Sequence, residues 1–346
     1  MELKELIVAL SGLMSITGHE GYDAQRLSEL LCGFDEAVTD RVGNRIFVKR
    51  CGRENAPRIL IDTHFDEIGM IVTDIKEGGF LTVTSVGGLD ARTLSSAHVK
   101  IYGKQVLDGV MASTPPHLSA GQEKKLLAPD ELLIDTGYSK EALSELVRIG
   151  TPVGFAPRYG ELAGGMLVGK GFDNKACAAI AAKALLDTPA ADLAGDVYLV
   201  LSVHEETDRI GGTAVGGFAV QPDYAMVIDV NLGFMPGVKK SESVAMGKGP
   251  SITRGTIVNR KLTAMTEAVC KREEIPYQVY ISPTSTGTNT GALHLVGAGI
   301  PVVDVGLPLT SMHTYVEGLR MEDAEALCRL VRAFVTDNEI GEVFAV

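Results

Sequence analysis

Apolar and polar positions alternate in two distinct ways along the second half of the chain. Continuous apolar runs at 197–203, 224–230 and 300–306 have the length of buried strands, and helix-length segments lie between them. Over 322–336, apolar side chains return every three or four residues, which indicates one buried helix face. This alternation predicts an α/β layer structure.

The same patterns predict further elements in both halves of the chain. Four more segments have helical periodicity, and two short apolar runs in the first part favour strands. The predicted helices are 2–15, 23–32, 173–186 and 258–273, and the predicted strands are 45–49 and 58–63. We therefore expect one α/β domain that begins before residue 72 and resumes in the second half.

The pattern changes between residues 72 and 162, where short β-like stretches, Gly-Gly pairs and prolines replace the alternation. The short stretches are 80–86, 98–102 and 132–135. They predict a β-rich insertion at 72–162, which divides a discontinuous domain made of 1–71 and 163–346.

Composition limits the possible partners. The 346 residues carry 32 Lys and Arg against 44 Asp and Glu, a net charge of −12, without a basic cluster. A nucleic-acid partner is not expected, because neutralising phosphates requires concentrated basic residues. No apolar run approaches the roughly 20 residues that span a bilayer, and the acidic, amphipathic N-terminus is unlike a signal peptide. No membrane association and a cytoplasmic location are therefore expected.

Three strings place acidic or imidazole side chains at the ends of predicted strands: THFDEIG at 63–69, LSVHEETD at 201–208 and MVIDVN at 226–231. Ligands of open α/β sheets favour the carboxyl ends of strands. A further acid opens the alanine-rich helix, and a late histidine follows the strand at 300–306. The resulting candidate metal ligands are His64, Asp173, Glu206, Asp229 and His313.

Two imidazoles and three carboxylates suit Zn²⁺ or a similar divalent ion. Two ions fit this set better than one, because two dications bridged by a carboxylate neutralise three acids that would otherwise repel one another. Asp173 is the expected bridge, since it begins a helix midway among the other ligands in the sequence.

Two more acids have expected roles beside the ligands. His64 and Asp66 are two residues apart, so Asp66 faces the same way on an extended segment and can hold the imidazole. The adjacent Glu205 and Glu206 point to opposite sides, so that one can bind metal while the other stands over the attacking water.

Other chemistries lack their motifs. The glycine pairs at 78–79, 87–88, 164–165 and 211–212 lack a phosphate-binding context and are interpreted as turns, so no nucleotide cofactor is expected. No GxSxG motif surrounds a serine, and the five scattered cysteines lack CxxC spacing. The remaining histidines, His19, His98, His117, His204 and His294, are assigned structural roles.

Ten strings in order give the chain a resemblance to the tetrahedral-type di-zinc aminopeptidases, the glutamyl aminopeptidase-like members of the forty-second metallopeptidase family. They are SITGHE at 15–20, THFDEIGMIV at 63–72, GGLDARTL at 87–94, STPPHL at 113–118, LLIDTG at 132–137, GKGFDNKA at 169–176, HEET at 204–207, VIDVN at 227–231, TSTGTNT at 284–290 and MHTYVE at 312–317.

The resemblance implies a zinc-peptidase-like mixed sheet flanked by helices, a PDZ-like inserted domain and assembly into a hollow dodecamer. By motif position it implies the same five ligands, with Glu205 as general base and Asp66 as supporting acid. It implies activity on short peptides with two divalent ions per chain, either Zn²⁺ or alternatively Co²⁺ or Mn²⁺.

Departures from the family pattern leave the preferred N-terminal residue open. They are Asp208, Ile210, Asn289, Thr310, Ser311 and Met312, which we expect to line or support the substrate pocket. The sequence thus predicts a metal-dependent aminopeptidase. The alternatives are a deacylase or glycan hydrolase on the same metal frame, and a non-catalytic assembly protein.

Overall fold

The computed structural model describes residues 1–113, 131–207 and 211–345. In this part of the chain, an eight-stranded mixed sheet, a three-stranded sheet and a closed six-stranded barrel are joined by helices. The predicted α/β class is confirmed. Most of STPPHL, including His117, and the departures Asp208 and Ile210 lie outside the described residues.

The five predicted helices are present to within a few residues, as α1, α2, α4, α6 and α8, and the described residues contain four more. They are α1 Leu3–Ser11, α2 Ala24–Leu30, α3 Lys140–Leu146, α4 Phe172–Asp187, α5 Gly211–Val220, α6 Arg260–Arg272, α7 Thr290–Leu293, α8 Met321–Val335 and α9 Asn338–Phe344. None of the described helices is long and apolar enough to cross a membrane.

The first nine strands are β1 Glu36–Thr39, β2 Arg45–Lys49, β3 Arg58–His64, β4 Gly69–Ile75, β5 Phe80–Val86, β6 His98–Tyr102, β7 Val106–Met111, β8 Leu133–Asp135 and β9 Pro152–Phe155. The others are β10 Tyr159–Leu162, β11 Met166–Gly169, β12 Asp196–Ser202, β13 Tyr224–Leu232, β14 Ser251–Gly255, β15 Gln278–Ser282, β16 Val302–Leu309 and β17 Glu317–Arg320.

The large sheet has the order β1-β2-β12-β3-β13-β16-β14-β15. Its four central strands, β12, β3, β13 and β16, are parallel and almost wholly buried. Helices cover both faces: α1, α4, α6 and α8 pack in one core cluster, and α5 and α7 in the other. Because these strands are parallel, their carboxyl ends meet at one edge of the sheet.

Helix α5 begins where a turn was expected, because Gly211 and Gly212 are helical. A Cβ at Gly212 would lie 2.2 Å from the carbonyl oxygen of Val203, just beyond β12. The glycines therefore allow the helix to pack directly on the end of the strand. From the local sequence alone, a Gly-Gly pair predicts a turn and does not reveal this packing.

Strands β4 to β9 close a barrel in the order β4-β5-β8-β7-β6-β9, with a hydrophobic core of its own. The barrel strands run from Gly69 to Phe155. By contrast β10, inside the segment expected as the insertion, pairs with β11 in the three-stranded sheet. Since β4 starts five residues after His64, the barrel is attached beside the carboxyl edge of the large sheet.

Candidate metal centre

The fold brings all five candidate ligands to one place. His64 is the last residue of β3, Asp229 lies in β13, and Glu206 follows β12. Asp173 is in the first turn of α4, and His313 lies in the loop between β16 and β17. Four of these five thus come from the carboxyl edge that the parallel strands create.

The inner half of the centre consists of His64, Asp229 and one oxygen of Asp173. Nε2 of His64 lies 3.2 Å from Oδ1 of Asp173 and 3.5 Å from Oδ1 of Asp229. The His64 side chain is only 2% exposed. The outer half consists of His313, Glu206 and the other oxygen of Asp173. Nε2 of His313 lies 3.5 Å from Oδ2 of Asp173 and 3.4 Å from Oε2 of Glu206, and its side chain is 37% exposed.

The carboxylate of Asp173 therefore faces one imidazole with each of its oxygens. This geometry suits a carboxylate that bridges two ions, each with one further imidazole and one further carboxylate.

The donor set has the spacing and the burial that a cation site requires. Ligand atoms of His64, Asp173 and Glu206 lie within 4.8 Å of one another. Oδ1 of Asp173 and Oε1 of Glu206 are buried and accept no hydrogen bond from the described residues. Buried carboxylate oxygens without donors are costly in a protein interior, so the residues present fit divalent ions.

Electrostatics lead to the same conclusion. Burial raises the pKa of Glu205 to about 7 and that of Glu206 to about 10, and the charge of Asp173 adds to both shifts. For Asp173 burial acts in the same direction, but the two imidazoles outweigh it and hold its pKa below the usual range. Carboxylates crowd the two histidines, and added positive charge would let them all ionise.

Asp66 is buried at the centre, but its main contacts differ from expectation. Its backbone carbonyl oxygen lies 3.1 Å from Nδ1 of His64, closer than its carboxylate at 3.6 Å. The carboxylate instead accepts hydrogen bonds from the backbone N–H groups of Glu205 and Glu206, both at 3.1 Å, and from the Thr17 hydroxyl at 2.8 Å. Asp66 therefore fixes the turn that carries the two glutamates.

Two supporting groups escaped the sequence analysis. Glu317 is buried and accepts hydrogen bonds from the N–H groups of Phe172, Asp173 and His313. Glu67 is buried between the ammonium groups of Lys170 and Lys175, at 2.7 and 2.9 Å. Their positions in the sequence motifs could have identified them as supporting residues. Glu317 ends MHTYVE, Glu67 lies within THFDEIG, and the two lysines flank Asp173.

One of the departures lies in the core. Asn289 is 3% exposed, and its amide donates hydrogen bonds to the carboxylate of Asp62 and the hydroxyl of Ser202. Thr310 pairs with Gly318 across the hairpin of β16 and β17. Two of the histidines given structural roles lie as follows: His294 contacts the carbonyl of Thr290, and His204 lies 4.0 Å from the carboxylate of Glu20.

Comparison with known proteins places this chain in a family. The model of the M42 glutamyl aminopeptidase family matches residues 43–330. A lysyl aminopeptidase of Pyrococcus furiosus is 30% identical, over 92% of this chain and 94% of its own length. A TET aminopeptidase from a marine sediment archaeon of the Thaumarchaeota has a similar structure, with a TM-score of 0.90 at 29% identity, covering 99% of this chain and 98% of that one.

The Pyrococcus horikoshii TET1 peptidase, which can assemble into a tetrahedron or a large octahedral shell, is also similar. Its TM-score is 0.84 at 28% identity, covering 96% of this chain and 99% of that one. These matches support the aminopeptidase prediction over the deacylase, glycan hydrolase and assembly-protein alternatives. The chain belongs to the M42 glutamyl aminopeptidase family of metallopeptidases, and it is a metal-dependent aminopeptidase.

Proposed function

We propose that this aminopeptidase removes N-terminal residues from short peptides with two divalent ions, Zn²⁺ by preference, and with Glu205 as general base. The observation that carries the proposal is the placement of Asp173, whose two carboxylate oxygens face His64 and His313 separately. The inner half would hold one ion through His64, Asp173 and Asp229, and the outer half the other through His313, Asp173 and Glu206.

Two ions bound there would lower the pKa of an attacking water and stabilise the negative charge of the tetrahedral intermediate. Glu205 then takes the water's proton and passes it to the amine that leaves when the peptide bond breaks. Glu205 is suited to this because it is buried beside the inner half, with Oε2 4.0 Å from Nε2 of His64, while Asp66 holds its backbone.

The division of labour between adjacent glutamates gives the sharpest test. Glu205→Gln preserves shape but cannot accept a proton, so kcat should fall by about 10²-fold or more while metal content stays the same. Glu206→Gln, the matched control, should lower both metal content and rate. Elemental analysis and steady-state kinetics on a panel of aminoacyl reporters with Zn²⁺, Co²⁺ and Mn²⁺ measure both. Metal loss or full activity in the Glu205 variant would overturn the assignment.

We also propose that the barrel, which makes up most of 72–162, is a PDZ-like assembly domain inserted between catalytic segments 1–71 and 163–346. We propose that the chain forms a homo-oligomer such as a dodecamer. The separate core of the barrel supports an independent unit, and the shells of the related TET1 peptidase support assembly. Light scattering should give a mass many times 36.7 kDa. An active, stable monomer would contradict this proposal.

A further inference from the structure

His313 is the most exposed of the five candidate ligands. It lies in a loop, its backbone φ is +61°, and more than a third of its side chain is exposed. A histidine binds metal well only when its ring orientation and its tautomer are fixed by another contact. The His313 ring therefore needs contacts that orient it, in addition to the ion that it would bind.

The contacts come from the barrel, through the loop after β5. The imidazole of His313 lies against Gly88, and Nδ1 is the ring atom that faces this glycine, since a Cβ built on it would lie 2.9 Å from Nδ1. The N–H of Asp90 donates to the carbonyl oxygen of His313 at 3.3 Å. Gly87 passes close to Glu206, since a Cβ built on it would lie 3.5 Å from the Cβ of that ligand.

We propose that segment 87–90 of the barrel is a positioning element for the outer metal ligand His313. The inference rests on the two-ion assignment of the proposed function. With Nδ1 against Gly88, Nε2 faces Asp173 and Glu206, where its lone pair would bind the outer ion. The arrangement parallels the inner half, where Nδ1 of His64 lies 3.1 Å from the carbonyl oxygen of Asp66. The difference is that the outer contact comes from the barrel.

Glycine is required at position 88 because of space. A Cβ there would lie 2.9 Å from Nδ1 of His313, closer than real Cβ contacts come, and 3.3 Å from Cε1, which is also tight. The backbone of Gly88 lies outside the left-handed region, so alanine can adopt its conformation. Gly88→Ala therefore displaces the ring without straining the backbone.

The test titrates metal-free protein with Zn²⁺ by calorimetry. Wild type should bind two ions, whereas Gly88→Ala should keep the inner ion and bind the outer one about 10- to 100-fold more weakly. Gly291→Ala is the matched control, because nothing lies within 4 Å of its added Cβ and its backbone also accepts alanine. Two ions with unchanged affinities in Gly88→Ala would overturn this inference. One ion in wild type would overturn the two-ion proposal instead.

A second pair of variants covers the case in which Gly88→Ala does not fold. Asp90 has φ of −80°, which proline accepts, so Asp90→Pro removes the N–H that donates to His313. Asp90→Ala keeps that N–H and loses only the carboxylate. Outer-ion affinity should fall in Asp90→Pro and remain in Asp90→Ala, and equal affinities in the two would count against the positioning role.

Discussion

The two halves of the metal centre share one carboxylate but are built differently. In the inner half, His64 and Asp229 belong to adjacent central strands, and the histidine is almost wholly buried. In the outer half, His313 lies in a loop and is held by Glu317 on one side and by the barrel on the other. A ligand at the end of a strand is held in place by the hydrogen bonds of the sheet. A ligand in a loop depends instead on a few contacts with residues that are distant in the sequence.

This contrast leads us to expect unequal ions. The inner half is preorganised by the sheet, so the ion bound there should be the tighter and the last to leave. The outer half should lose its ion first when a chelator competes or when a supporting contact is removed.

The largest effect is expected where the two halves meet. Asp173→Ala should empty both halves and reduce aminopeptidase activity to background, since each ion loses a ligand and the bridge. Elemental analysis of the purified variant measures this. If wild type and Asp173→Ala retained the same number of ions, Asp173 would not be the bridge.

Removing each histidine in turn should separate the halves by stability. In the metal-free protein, His64→Ala leaves the carboxylates of Asp173 and Asp229 buried without their partner and should cost about 3 kcal/mol of unfolding free energy. His313→Ala removes a half-exposed contact and should cost less than about 1 kcal/mol. Denaturant unfolding measures both, and equal losses would contradict the distinction between halves.

A smaller effect is expected from the support of the outer loop. Glu317 accepts three backbone hydrogen bonds, and a glutamine at this position would turn its amide donors toward some of those N–H groups. Glu317→Gln should therefore weaken the outer ion by about 10-fold or more and the inner ion less. Competition with a chromophoric chelator resolves the two. Glu322→Gln, an exposed neighbour on α8, is the control and should change neither.

The smallest effect concerns the sheet beneath the inner half. Burial raises the pKa of Asp304, although hydroxyls of Thr253, Thr288 and Thr290 donate to its carboxylate. Because the folded state binds this proton more tightly than the unfolded state, the contribution to stability is complete below the unfolded pKa, near 4, and is lost as pH rises through the folded pKa.

The difference in unfolding free energy between wild type and Asp304→Asn isolates this titration. As pH rises above about 4, the unfolding free energy of wild type should fall relative to that of Asp304→Asn, without a change in metal content. A difference that stays constant with pH would show that Asp304 does not titrate in this way.

Much of the fold was predictable because its signals are local. Strands β2, β5 and β6 begin and end where their apolar patterns do, and parallel strands necessarily bring their carboxyl ends together. The candidate ligands could be chosen for the same reason, since acids and imidazoles at strand ends stand out against buried apolar runs. Helix α5 was missed because its glycines are needed for close packing against the sheet beneath it. A local sequence pattern does not contain that contact.

The sequence by itself determined the α/β class, the choice of five candidate metal ligands and the identity of the family, because periodicity and motif order are properties of neighbouring residues. Only the tertiary structure decided which oxygen of Asp173 faces which histidine, that the carboxylate of Asp66 holds the turn at Glu205, and that Gly88 of the barrel meets His313. Those contacts join segments far apart in the chain, and they exist only once the sheet and the barrel have packed side by side.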